Sequence, residues 1–304
     1  MDLKGWDYQG RNIDTKLLNQ FKGLADFISN EKLVNNRTWG KELQNDIADA
    51  IGISGENRSG AVRTIKSVLE HLGFINYNSL SERKIPTFES VISPLGQDLL
   101  TLISVENDLN SLEEDDPKGQ AEIKALYQDF YARSLLEFYF PFGVRKKEPA
   151  GKNKPLHPLR ATIKALKKFG YLNKWEWYLL NTIIDEDDNL EKETELENAI
   201  KDYRDGIVNY SMQSIKLNPK GHQYFPQYLG LSGLVSFKKK GREWTRMELN
   251  EEYNDLFDIV LSDSFIRDFY AKKQTIIGTQ VENEEDNDLF SFFEEDPMEE
   301  PLDE

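Results

Sequence analysis

Apolar residues recur at helical spacing through the first quarter of the chain. The run 15–34 places Leu17 and Phe21 one turn apart and predicts an amphipathic helix. Two further runs, 39–53 and 59–75, predict a second and a third helix, with the turn-rich sequence GISGENRS between them. The N-terminal part of the chain is therefore expected to be a cluster of short helices.

Short runs of alternating polarity follow the third helix. FINYNS (74–79) and TFESVIS (87–93) flank the polar loop LSERKIP, and this pattern predicts a β-hairpin. Three helices followed by a hairpin is the order of a winged helix, whose third helix fits the major groove of DNA. The DNA contacts predicted here are Arg58, Arg63, Lys66, Arg83 and Lys84. Solvated charges on an ordinary amphipathic helix, or a protein-binding winged helix, would give the same pattern.

The second half of the chain again ends in a helix and a hairpin. Helices are predicted over HPLRATIKALKKFGYL (157–172), NKWEWYLLNTIID (173–185), TELENAIKDYRDGIVNYSMQSI (194–215) and the closing run 250–270. LVSF and EWTRMEL flank the basic sequence KKKGR (238–242), which predicts a hairpin with a cationic tip. The predicted DNA contacts are Arg160 and Lys164, on the outer face of the first helix, and Lys238, Lys239, Lys240 and Arg242 at the tip. The alternative is a solubilising turn that blocks aggregation.

These elements predict a mainly helical α+β protein with small hairpins. We expect a winged-helix domain over 1–140, a basic linker over 141–156, a second winged-helix-like domain over 157–275 and a disordered acidic tail over 276–304.

The charge of the chain is unevenly distributed. Its formal net charge is −16, but the runs 106–116, 185–197 and 282–304 together hold −25, so the remaining residues carry +9. A basic body with acidic connectors is compatible with a nucleic-acid partner, because local patches and not the total charge determine phosphate binding.

Composition excludes several classes of site. The chain has no cysteine, which excludes disulfides, zinc–thiolate sites and thiol nucleophiles. It also lacks a long apolar run or an N-terminal apolar segment, so we expect a cytoplasmic protein with no membrane partner.

The sequence HPLRATIKALKKFGYLNKWEWYLLNTII, followed by an acidic spacer and IKDYRD, resembles type II restriction endonucleases of the AlwI and BpuJI kind. The hairpin LSGLVSF...WTRMELN and the N-terminal sequences WGKELQ, HLGFI and SPLGQDLL are also similar to their recognition region, so the resemblance covers about residues 10–272. It implies two winged helices that bind duplex DNA sequence-specifically, as the recognition part of a restriction-modification enzyme.

Catalytic residues are not assigned. Restriction nucleases commonly hold Mg²⁺ with an acid and a Glu-x-Lys on a strand pair. The nearest match, Asp116 with Glu122 and Lys124, falls in a predicted helix, where charge pairs explain it better. We therefore expect no cofactor in this chain, with Mg²⁺ needed only by a cleavage domain that is missing or on another chain. Whether the chain is an enzyme stays open.

The acidic tail contains one apolar cluster, formed by Leu289, Phe290, Phe292 and Phe293, which is a predicted partner-binding segment. It would pack against a nuclease domain or subunit, bind a sliding clamp, or cover the basic hairpins as a DNA mimic. The alternative functions are a stand-alone winged-helix regulator, a replication-associated adaptor that binds a partner through this tail, or a protein scaffold without DNA affinity.

Overall fold

The protein is described by a computed structural model. The described residues are 1–6, 11–30, 37–80, 87–111, 116–141, 144, 154–217, 221–241 and 243–281. Several predicted contact residues lie outside these ranges: Arg83, Lys84, Arg242, Leu289, Phe290, Phe292 and Phe293. Within the described part the chain is mainly helical with small β-sheets, which confirms the predicted α+β class.

The three predicted N-terminal helices are present. They are α1 (Thr15–Ser29), α2 (Lys41–Ala50) and α3 (Arg58–His71). The Asp14 side chain caps α1 by accepting a hydrogen bond from the Leu17 N–H at 2.9 Å. Each helix turns an apolar side into the core, as the spacing of apolar residues predicts.

The first predicted hairpin is wrong. Phe88–Val91 forms a short helix, α4, and the only pairing described between the two runs is one bridge from Ile75 to Ile92. The local cause is Ser90, whose backbone N–H and side-chain hydroxyl both donate to the Thr87 carbonyl. Such local hydrogen bonds compete with the ladder of a strand.

Two long antiparallel helices follow. They are α5 (Pro94–Asn110) and α6 (Pro117–Glu137), each with proline in its first turn. The Tyr127 hydroxyl on α6 donates to the Glu106 carboxylate on α5 at 2.7 Å.

The second half of the chain begins with α7 (Pro158–Phe169), α8 (Lys174–Ile183) and α9 (Leu190–Arg204). A capping box starts α8, because Asn173 accepts from the N–H groups of the first turn while the Glu176 carboxylate accepts from the Asn173 N–H at 2.7 Å. The predicted helix 194–215 begins earlier and ends eleven residues sooner, just before Gly206 at φ 73°.

The predicted basic hairpin is confirmed. After α10 (Gly221–Leu231), β3 (Val235–Lys240) pairs antiparallel with β4 (Glu243–Leu249). Leu172, between α7 and α8, exchanges backbone hydrogen bonds with Met247 on the other edge of β4. Leu172 therefore pairs with the hairpin as a one-residue third strand, and β4 lies between Leu172 and β3. A separate two-stranded parallel sheet joins β1 (Leu3–Lys4) to β2 (Ile215–Leu217).

An aromatic core joins parts of the chain that were predicted to form separate domains. The Trp6 ring centre lies 5.6 Å from that of Trp177, 5.9 Å from that of Phe225 and 6.3 Å from that of Phe140. The Trp6 indole N–H donates to the Ile184 carbonyl at 2.7 Å. Residues before and after the predicted linker 141–156 thus contribute to one packed cluster.

Contacts divide the chain into the units Met1–Asn254 and Asp255–Glu304. The predicted closing helix is two helices, α11 (Asn254–Leu261) and α12 (Asp263–Val281), separated at Ser262. Of the helices that the structure describes, none has the length and apolar character needed to span a membrane.

Candidate nucleic-acid interface

The basic residues of α3 are partly neutralised by neighbouring acids. Arg58 forms an ion pair with Asp49 at 2.5 Å, and Lys66 one with Glu70 at 2.8 Å. Arg63 is exposed on the same helix. A lysine already paired with a carboxylate must give up that contact to bind phosphate, so α3 offers less cationic surface than its sequence indicates.

The prediction that Arg160 lies on the outer face of α7 is wrong. Its side chain is only 1% exposed, and its guanidinium donates to the Asp188 carboxylate at 3.0 Å. Flanking residues Leu159 and Ala161 are buried too, so α7 is covered on more sides than an amphipathic helix at the surface. In this conformation Arg160 holds α7 to the acidic loop before α9 and is not presented to an external ligand.

Lys164 is half-exposed and lies between two acids. Its ammonium contacts Asp188 at 2.5 Å and Glu193 at 2.8 Å. Burial lowers the pKa of Lys164, but hydrogen bonds to both carboxylates outweigh it and the net pKa is raised. The lysine stays charged, and its charge is balanced within the protein.

His157 stands at the N-terminus of α7 and is fully buried. Its Nε2–H donates to the Leu136 carbonyl at 2.9 Å, and its Nδ1 accepts from the Arg160 N–H at 3.2 Å. These partners require the neutral ring. Burial is the main cause that lowers the pKa of His157 to about 4, helped by the nearby charge of Arg160.

Acid should therefore destabilise the fold through His157. Its folded pKa of about 4 lies below the unfolded value of 6.5, so the unfolded chain takes up the proton first as the pH falls. The stabilisation present above pH 6.5 should be lost between about pH 6.5 and 4, by roughly 3 kcal/mol. Urea unfolding at several pH values measures this loss, and His157→Gln should flatten the curve in that window. Equal curves for wild type and His157→Gln would refute the assignment.

The hairpin carries cations that no described carboxylate neutralises. Lys238 is 62% exposed and pairs with Glu248 at 2.9 Å. Lys239 and Lys240 are exposed and form no ion pair within the described part of the chain. The sequence from Val235 to Leu249 contains five basic residues and two acidic ones. This surface is therefore the stronger of the two predicted sites for a polyanion.

A bulge near the tip changes the pairing of these residues. Lys238 lies opposite Arg246, but Lys239 lies opposite Trp244, so Thr245 is the extra residue in β4. The Thr245 hydroxyl donates to the Lys238 carbonyl at 3.1 Å. Gly241, at φ 65°, supplies the left-handed conformation of the turn. The bulge and the turn together place consecutive lysines at the exposed end of the hairpin.

Arg246 was missed by sequence reasoning. It is exposed on β4, forms no ion pair with a carboxylate in the described residues, and has its Cζ 4.2 Å from the ring centre of Tyr171. Alternation at the end of EWTRMEL could have identified it, because Arg246 is next to the buried Met247 and so lies on the opposite face of the strand. Tyr171 could not be found this way, since its contact depends on the pairing of Leu172 with Met247.

The loose match to a nuclease motif does not form a cluster. Asp116 caps α6 through the Gly119 N–H at 3.0 Å, and Glu122 lies 3.8 Å from Lys118 on the same helix. Lys124 is an exposed residue of α6. These are the contacts expected of charges along a helix.

Comparison with known proteins does not assign this chain. No protein-family model matches it, and no curated protein is similar enough to count as a relative.

Proposed function

We propose that this protein binds double-stranded DNA sequence-specifically, as the recognition part of a type II restriction endonuclease whose cleavage site lies outside the described residues. The observation that carries the proposal is the hairpin of β3 and β4, where Lys239, Lys240 and Arg246 have no carboxylate partner among the described residues. Such cations attract DNA phosphates and release the counterions condensed on them.

The order of elements around the hairpin supports a winged helix. The elements follow the order of that fold: helix α7, the strand position at Leu172, helices α8 and α10, and then the two strands. β4 lies between β3 and Leu172. Helix α9 and β2 would be an insertion between the second and third helices. We assign α10 as the groove-facing helix of this unit and the hairpin as its wing.

The N-terminal helices have a lesser role in the proposal. Helices α1, α2 and α3 supply the three-helix part of a second winged helix, but the described residues of its wing form a bridge and a short helix. Two of the basic residues on α3 are ion-paired. We propose that this unit adds contacts to a complex that the second half of the chain anchors.

Selection of bound oligonucleotides from a pool of random duplexes tests the function. The proposal predicts enrichment of one short asymmetric site, because a single chain with two different units does not read a palindrome. A palindromic site would favour the stand-alone regulator instead. No enrichment, together with no measurable duplex binding at low salt, would refute DNA recognition and favour a protein scaffold.

A further inference from the structure

Arg246 differs from the lysines of the hairpin because an aromatic ring holds it. Its guanidinium lies 4.2 Å from the Tyr171 ring centre, a distance that places it over the ring and not at its edge. Tyr171 precedes Leu172, which pairs with Met247 on β4. Because side chains alternate along strands, Tyr171 and Arg246 share the sheet face opposite that of the buried Leu172 and Met247.

Tyr171 is itself fixed from α9. The Arg204 guanidinium lies 4.3 Å from the centre of the same ring, and it donates to the Tyr171 carbonyl at 2.8 Å and the Phe169 carbonyl at 3.3 Å. Its Nε donates to the fully buried Glu176 carboxylate at 2.6 Å. The contacts of Arg204 are thus directed inward, and its role is to hold Tyr171 in place.

The result is an arginine with a fixed side chain, whose N–H groups donate no hydrogen bond to another described residue. An arginine side chain ordinarily loses considerable conformational entropy when it binds a ligand. A guanidinium that is already held on a ring loses less of this entropy on binding. Stacking leaves the N–H groups in the guanidinium plane available for the two oxygens of a phosphate. Lys238, the cross-strand neighbour of Arg246, already pairs with Glu248 and does not compete for the same ligand.

We propose that Arg246 is a phosphate-binding residue of the DNA interface and that Tyr171 is its positioning residue. This inference rests on the proposed function, and it adds a contact on the face of the sheet beside the basic tip. The phosphate is that of a nucleic-acid backbone, because the adjoining Lys239 and Lys240 extend the cationic surface along the hairpin.

Duplex binding measured over a range of salt concentrations tests this assignment. Arg246→Ala should weaken binding about 8-fold at 0.1 M salt, the value for one lost phosphate contact. It should also reduce the slope of log affinity against log salt concentration, the salt slope, by about 0.9. Arg246→Lys and Tyr171→Leu should weaken binding while leaving the slope unchanged, because the charge remains and only its fixed position is lost. Arg133→Ala, which removes an exposed arginine paired with Asp98 on another helix, should change neither quantity.

Each outcome has a distinct meaning. Wild-type protein that binds no duplex refutes the proposed function, and this inference with it. Wild-type protein that binds, with an unaltered slope in Arg246→Ala, refutes the phosphate contact alone. Tyr171→Leu with wild-type affinity refutes the positioning role, and thermal unfolding of each variant separates loss of binding from loss of fold.

Discussion

Replacing Trp6 with alanine should lower the free energy of unfolding by about 3–5 kcal/mol, the range for truncating a large buried aromatic residue. The Trp6 ring is 1% exposed and contacts the rings of Trp177, Phe225 and Phe140. The substitution also leaves the Ile184 carbonyl without its indole donor. Urea unfolding followed by far-UV circular dichroism measures the change.

The matched control is Trp39→Ala, which removes a half-buried tryptophan beside Lys66. It should lower the free energy of unfolding by less than about 2 kcal/mol, because less apolar surface is lost. Equal losses for the two variants would contradict a core that depends on the first residues of the chain. Trp6→Phe should fall between Trp6→Ala and wild type, since it keeps ring contacts but not the hydrogen bond.

Replacing Lys239 and Lys240 together with alanine should weaken binding to duplex DNA roughly 60-fold at 0.1 M salt. This loss corresponds to one phosphate contact for each lysine, and each contact contributes about 0.9 to the slope of log affinity against log salt concentration. Both side chains are exposed and form no ion pair in the described part of the chain, so their removal should leave the fold intact. Fluorescence anisotropy of a labelled duplex measures the affinity.

The control for this variant removes two lysines that are already paired. In Lys164→Ala with Lys168→Ala the protein loses the same formal charge, but these side chains contact Asp188, Glu193 and Glu197. Affinity should fall only a few-fold, through the general change in charge. A loss as large as that of the hairpin variant would mean that net charge, and not the hairpin, determines binding.

Local patterns predicted the basic hairpin because its signals are all nearby in sequence. Alternating strands, a glycine in the turn and three consecutive lysines stand within residues 234–249, and each corresponds to an observed feature. The first hairpin had a similar pattern but no such glycine, and side-chain bonds around Ser90 made its second run helical. Alternation alone did not separate the two cases.

Arg160 could not be placed from the sequence, because the burial of a charge depends on its partner. Asp188 lies 28 residues away, after α8, and nothing in the helix pattern of α7 indicates that contact. The same limit applies to Arg246 and Tyr171, which a one-residue strand pairing brings together across the second half of the chain. Long-range pairing decides which cations are available to a ligand.

The salt dependence of duplex binding, compared between the two double-lysine variants, is the most direct test of the account. Removing Lys239 and Lys240 should reduce the slope of log affinity against log salt by about 1.8, while removing Lys164 and Lys168 should reduce it by less than about 0.9. Wild-type slopes in the hairpin variant would contradict the claim that these uncompensated cations form the DNA interface.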